Sequence, residues 1–309
     1  MKPLLVEPIH DYTIWGANHI SKARGTDENF GTWWEISAHP YCTNKIKNLG
    51  YETTLQEVID KDADDILGPG YTLHEMLRLA YLDTQDRLSI QVHPYDEYAK
   101  KYENDFGKHE SWYILDAVEG AKLCAGTTTN DANVIKEAVK NGTLEDYLNY
   151  VPVKPGDYVI IPVGMLHALG KDILAIEVGT NSNTTYRFYD YNRKDAKGNT
   201  RPLHLEKSFD VVDFNLKPTY VPADNKTRTI GDTPYYTVDE IFAKEDMEIK
   251  VKDSYFILSN MGEDTTIIWE NESITLPKYD SVFIPYSAKK ITLSKDAHVL
   301  YSRPKKGTL

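Results

Sequence analysis

From Leu88 onward the chain is written in short apolar bursts, each closed by Pro, Gly, Asn or Asp. LSIQVH (88–93), SWYIL, AKLCAG, YVIIP, ILAIEV and TTYRFYDY come first; YFILSN, TTIIWE, ESITLP, SVFIP and ITLSK follow after residue 250. Alternation with period two is the signature of strands that present one face to a core. Many short strands joined by tight turns predict a mainly β chain folded as a two-sheet jelly roll.

Three stretches break that rhythm. TLQEVIDKDADDIL (54–67) opens on a cap-like Thr54 and carries Leu55, Val58, Ile59 and Ile66 on one helical stripe. TLHEMLRLAYL (72–82) reads as a second helix, and DANVIKEAVKNGTLEDYL (131–148) as a helical excursion within about 127–150. The polar, proline-bearing LKPTYVPADNKTR after Phe214 reads as a linker. The expected layout is therefore a first domain over 1–215 and a second β domain over 216–309. KYDSVFIPYSAKK (278–290) echoes PGDYVIIPVGMLH (155–167), with Asp280 on Asp157, Val282 on Val159 and Pro285 on Pro162. The echo has no counterpart of Gly164 or His167, which predicts a second, degenerate copy without a metal site.

With 309 residues, 41% hydrophobic and 27% charged, the chain is long enough for a large core or two smaller ones. Its net charge of −12 argues against nucleic-acid and anionic-membrane partners, so an anionic ligand needs a local basic pocket. Cys42 and Cys124 form no CxxC pair, and MKPLLVEPIHDYTIWG lacks the apolar run of a secretion signal. Cytoplasmic residence is the expectation.

Strand alternation selects candidate ligands. In LSIQVH, Gln91 and His93 lie opposite Leu88, Ile90 and Val92; in GKHESWYIL, Lys108, Glu110 and Trp112 share a face that turns His109 outward. His167 follows the turn at Pro162 and Gly164. Gln91, His93, Glu110 and His167 are borderline-to-hard donors suited to Zn²⁺, and one carboxylate against a dication leaves about +1. His10, His19, His74 and His298 take the ordinary structural role of a hydrogen-bonded histidine, while His39 and His204 stay open.

These residues carry a resemblance. Gly156, Pro162, Gly164 and His167 match the second cupin motif. WWEISAHP (33–40), SIQVHPYDEYA (89–99), GKHESWYIL (107–115), PGDYVIIPVGMLHALG (155–170) and IEVGTNSNTTYRFYDYNR (176–193) together resemble short type I mannose-6-phosphate isomerases. The resemblance implies a cupin-type barrel and one zinc per chain on Gln91, His93, Glu110 and His167. It also implies a catalytic arginine at Arg187, an acidic partner at Glu177, and a sugar-phosphate substrate. Thr32 and Ala80 depart from the family pattern, where Glu and Lys are common.

The implied reaction moves a proton between C1 and C2 through a cis-enediol. Glu177 is the expected base in preference to Lys108, because a carboxylate is already deprotonated near neutrality. Lys108 and Arg187 are the expected cations of the cavity, with Lys171 and Arg193 on its rim. A sugar-binding or regulatory cupin without turnover, and a metal-dependent cupin oxygenase, are the competing readings.

Overall fold

A computed structural model describes Met1–Lys194 and Lys197–Gly307. The chain forms two compact units, one comprising 1–10, 33–80 and 224–309, the other 11–32 and 81–223. The single cut expected at 215/216 therefore differs from the observed division, in which two N-terminal stretches group with the C-terminal residues.

The unit holding 81–223 is a β sandwich of the cupin jelly-roll type. One sheet runs in the order Leu148–Pro152, Lys122–Thr127, His167–Ala168, Ile90–Val92, Tyr186–Tyr189. A second has the order Thr219–Val221, Tyr158–Ile161, Glu110–Ala117, Ile173–Thr180. Side chains of both sheets, among them Leu123, Ala125, Trp112, Ile114, Val159 and Ala175, form one buried cluster. The opposite face of the first sheet is also covered. Val92 and Tyr186 are directly paired, and Phe188 meets Phe209 of the helix Leu205–Val211 at 5.1 Å between ring centroids. That covering explains why Ile90 and Val92 are apolar although Gln91 between them is not.

The other unit has a six-stranded and a four-stranded antiparallel sheet, built largely from 228–304. Its core gathers Phe256, Leu258, Ile267, Val282, Ile284, Leu293 and Val299. The echo is visible in its backbone. Asp157 N–H donates to Lys154 O and Asp280 N–H to Pro277 O, both at 3.1 Å, and each Asp precedes a strand. The residue before each has positive φ, Gly156 at 87° and Tyr279 at 68°.

The first helical stretch starts as expected, with a full capping box between Thr54 and Glu57, but divides at Asp62 into Leu55–Lys61 and Ala63–Ile66. Ala132–Asn141 is helical and stops at Gly142, whose φ of 71° is the left-handed cap that glycine adopts without strain. The expected helix over 72–82 is corrected. Leu77–Asp83 is a strand with all seven residues buried, lying between Ile173–Thr180 and Phe30–Ile36 in the sheet order. A strand covered on both faces shows a continuous apolar run rather than alternation, and LRLAYL counts equally well as a helical stripe.

Candidate metal centre

Three sheet positions set the site. His167 is directly opposite Gln91, and Gln91 is directly opposite Arg187, so these three form one row across adjacent strands. On the facing sheet Glu110 pairs with Ile161 and Gly179, and Trp112 pairs with Val159 and Glu177. A Cβ on Gly179 would stand 3.0 Å from His109 O, so the glycine lets the two strands approach beside Glu110.

The turn before His167 is what brings it to the row. Met165 N–H donates to Pro162 O, and Gly164 sits at φ 84°, a conformation glycine adopts readily as the third residue of such a turn. Gly164 N–H donates to His93 O at 3.1 Å, tying this turn to the strand that carries the other imidazole. Pro and Gly thus end an apolar strand and re-aim the chain so that His167 converges on His93.

His93, Glu110 and His167 place ligand atoms within 4.8 Å of one another, and all three are buried. His93 Nε2 is 3.2 Å and His167 Nε2 3.1 Å from the Glu110 carboxylate, and the two Nε2 atoms are 3.1 Å apart. His93 Nδ1 faces Thr184 O at 3.0 Å and His167 Nδ1 faces Met165 O at 2.8 Å. A carbonyl can only accept, so each Nδ1 carries a proton and each ring turns its Nε2 inward. Two imidazole nitrogens and a carboxylate then converge on one point. Both Glu110 oxygens are shielded from solvent and take no directed hydrogen bond, although Lys108 Nζ lies 2.7 Å from one of them. Such a donor set repels itself unless a cation lies among it, and its N and O chemistry fits a divalent metal. Gln91, half-buried, lies beside the group, its amide nitrogen 3.4 Å from His167 Nε2.

The surrounding charges point the same way. Burial, followed by the nearby Lys108 charge, pushes His93 down to about 4, so it is neutral at ordinary pH. For Glu110 burial acts upward, but Lys108, His93 and His167 outweigh it and hold the carboxyl well below its usual range. Lys108 is also 2.9 Å from Glu177, and this second carboxylate helps raise its pKa despite burial that would lower it. The enclosed set Glu110, Glu177 and Lys108 carries −1, which a dication converts to +1.

Arg187 flanks Gln91 from the other side. Its Nη1 donates to Pro202 O at 2.9 Å, while its buried Nε has no hydrogen-bond partner. Of the rim candidates, Arg193 is engaged by Asp190 and Asp86, and Lys171 pairs with Asp172 on an exposed turn. The expectation that His109 faces outward is corrected in part. Its side chain is absent from the metal group, yet it is only 6% exposed and burial lowers its pKa to about 4. The strand is covered on both faces, so turning away from the site leads into protein. His19 and His298 are bound to Asp83 and Glu240, and His10 packs on Trp33. His39 Nδ1 accepts from Tyr41 N–H, which settles it as structural. Trp112, whose ring centroid is 5.6 Å from that of His167, was not singled out as a wall of the site, although its alternation with Glu110 signals it.

No protein-family model matches the chain. It is 30% identical to the mannose-6-phosphate isomerase of Streptococcus mutans, covering 97% of this chain and 98% of that one. It is also 30% identical to mannose-6-phosphate isomerase ManA of Bacillus subtilis, over 97% and 98%. The crystal structure of the mannose 6-phosphate isomerase from Bacillus subtilis superposes with TM-score 0.87 at 28% identity, covering 98% and 100%. A mannose 6-phosphate isomerase solved with zinc and yttrium shares the fold at TM-score 0.72 and 14% identity, over 99% and 100%. Near-complete coverage by these relatives, together with the site they share a fold with, places the chain in the mannose-6-phosphate isomerase family.

Proposed function

We propose that this enzyme interconverts mannose 6-phosphate and fructose 6-phosphate with one Zn²⁺ per chain. The observation that carries the reading is the convergence of the buried His93, Glu110 and His167, with Lys108 and Glu177 ion-paired beside them and Arg187 opposite Gln91 on the adjoining strand. Membership of the family supplies the substrate, and the solved relative that holds zinc supports the choice of metal.

His93, Glu110 and His167 would hold the ion, and the Gln91 amide, turned to present its oxygen in place of the nitrogen that faces His167 Nε2, would be the fourth ligand. When bound, the metal supplies Lewis acidity toward the substrate oxygens on C1 and C2. Glu177 takes the proton from C2 of the aldose; the C–H electron pair becomes the C1–C2 double bond and the C1 carbonyl π pair moves onto O1, giving the enediolate. A proton then passes from O2 to O1, and as the Glu177 carboxyl returns its proton to C1 the electron pair on O2 forms the C2 carbonyl of the ketose. Lys108 holds Glu177 by the 2.9 Å ion pair and, with its raised pKa, stays charged and unsuited to act as the base. Arg187 directs its guanidinium at the phosphate or the developing enediolate oxygen, a role suited to its planar fork. Among the described residues no helix is long and apolar enough to cross a membrane. A sugar-phosphate substrate supports a cytoplasmic site of action.

The test is conversion of mannose 6-phosphate to fructose 6-phosphate by protein loaded with Zn²⁺. Absence of turnover by the metal-replete enzyme refutes the reading in favour of a binding protein.

A further inference from the structure

The strand Tyr186–Tyr189 lies at the edge of its sheet, with Ile90–Val92 on its one strand-paired side. On the other side the segment 201–204 takes the place of a neighbouring strand. His204 N–H donates to Arg187 O at 2.8 Å, and Arg187 N–H donates to His204 Nδ1 at 3.0 Å. Arg187 Nη1 donates to Pro202 O at 2.9 Å. Arg201 anchors the segment by a two-pronged grip on Asp190, Nε at 2.8 Å and Nη2 at 2.6 Å. One four-residue segment therefore holds both backbone polar groups of Arg187 and one end of its guanidinium.

The bond from Arg187 N–H sets the state of the imidazole. Nδ1 accepts, so it bears no proton, and a neutral His204 carries its proton on Nε2. We propose that His204, in this Nε2–H form, is a positioning residue for Arg187, fixing with Pro202 the angle at which the guanidinium enters the site. The proposal rests on Arg187 acting on the substrate.

The charged groups acting on His204 are Arg187, Lys207 and Glu103, and the Tyr186 ring stands 6.2 Å away. Burial first, then the Arg187 and Lys207 cations, lower its pKa, while Glu103 opposes them. The accepting form is thereby kept at neutral pH. Protonation would place a second N–H against that of Arg187 and break the bond, so positioning fails as pH falls through the His204 pKa.

The test compares His204→Asn, His204→Leu and Arg187→Ala by isomerisation kinetics across pH, with metal content and Tm measured for each. Asn offers an amide oxygen where Nδ1 stands and is a favoured residue at a helix N-cap, the place His204 holds before Leu205–Val211. His204→Leu is expected to lower kcat about tenfold to a hundredfold, the scale of a misplaced catalytic group. KM and metal content should change little; Tm should fall modestly, because Arg187 N–H loses its acceptor although the His204 side chain makes no capping bond. His204→Asn is expected to recover most of the lost kcat and to remove one ionisation from the acid limb. Unchanged kcat in His204→Leu beside an inactive Arg187→Ala overturns the positioning role and leaves Arg187 in the site. Equal losses in the Asn and Leu variants, or loss of metal in His204→Leu, also overturn it. An active Arg187→Ala removes the role of Arg187 itself, and the positioning role with it.

Discussion

Lys108 and Glu177 are joined by a 2.9 Å ion pair, and the same ammonium reaches Glu110 at 2.7 Å. A single buried cation thus links the carboxylate among the metal donors to the carboxylate proposed as base. Replacing it leaves two buried carboxylates facing one another. Lys108→Met is expected to cost about 3–5 kcal/mol of stability, the usual penalty for removing one partner of a buried pair. Denaturant unfolding of the metal-free protein measures it, and unchanged stability would show that solvent reaches the pair.

Glu177→Gln keeps the shape and removes the basic charge. Turnover is expected to fall by about two to four orders of magnitude with metal content intact. Elemental analysis beside steady-state kinetics separates this from a defect in metal binding. Near-normal turnover assigns the proton transfer to another group.

His93→Ala and His109→Ala test residues at the ends of two strands in different sheets. His93→Ala should lose the metal, while His109→Ala should retain it and lose stability, because His109 is buried in protein. The reverse pattern in metal content refutes the assignment of Glu110, and not its neighbour, to the site.

Gly164 offers a prediction about the fold. Its φ is 84°, and a Cβ there would stand 2.9 Å from Val211 O. Gly164→Ala is expected to cost about 1–2 kcal/mol from the backbone conformation alone. It should also weaken metal affinity, since the turn it forms carries His167 and is bonded to His93 O. A thermal melt with and without Zn²⁺ checks both effects.

Much of this was legible in the residues. Alternation alone puts Glu110 and Lys108 on one face and turns Gln91 inward; in the structure Lys108 lies 2.7 Å from Glu110, and Gln91 stands in a cross-strand row with His167 and Arg187. What failed did so where burial is two-sided. LRLAYL lost its strand signal because both faces are covered, and His109 was taken to face outward for the same reason. The division of the chain was illegible for a different cause. No local feature marks 1–10 and 33–80 as belonging with 224–309, because that grouping depends on contacts distant in sequence. His204 stayed open because its role depends on a bond to Arg187, seventeen positions away.

Arg187→Lys separates charge from geometry. Lysine keeps the cation and loses the fork, so it should fail to restore activity, and kcat should fall along with any rise in KM. A change in KM alone confines Arg187 to holding the phosphate in ground state and transition state alike.

The most direct measurement is the conversion of mannose 6-phosphate by one preparation stripped with a chelator and then titrated with Zn²⁺. Activity is expected to be absent from the stripped protein and to rise linearly to a plateau at one zinc per chain, with His93→Ala inactive throughout. Full turnover by the stripped protein, or a plateau indifferent to His93, would contradict the assignment of His93, Glu110 and His167 as the centre on which the reaction depends.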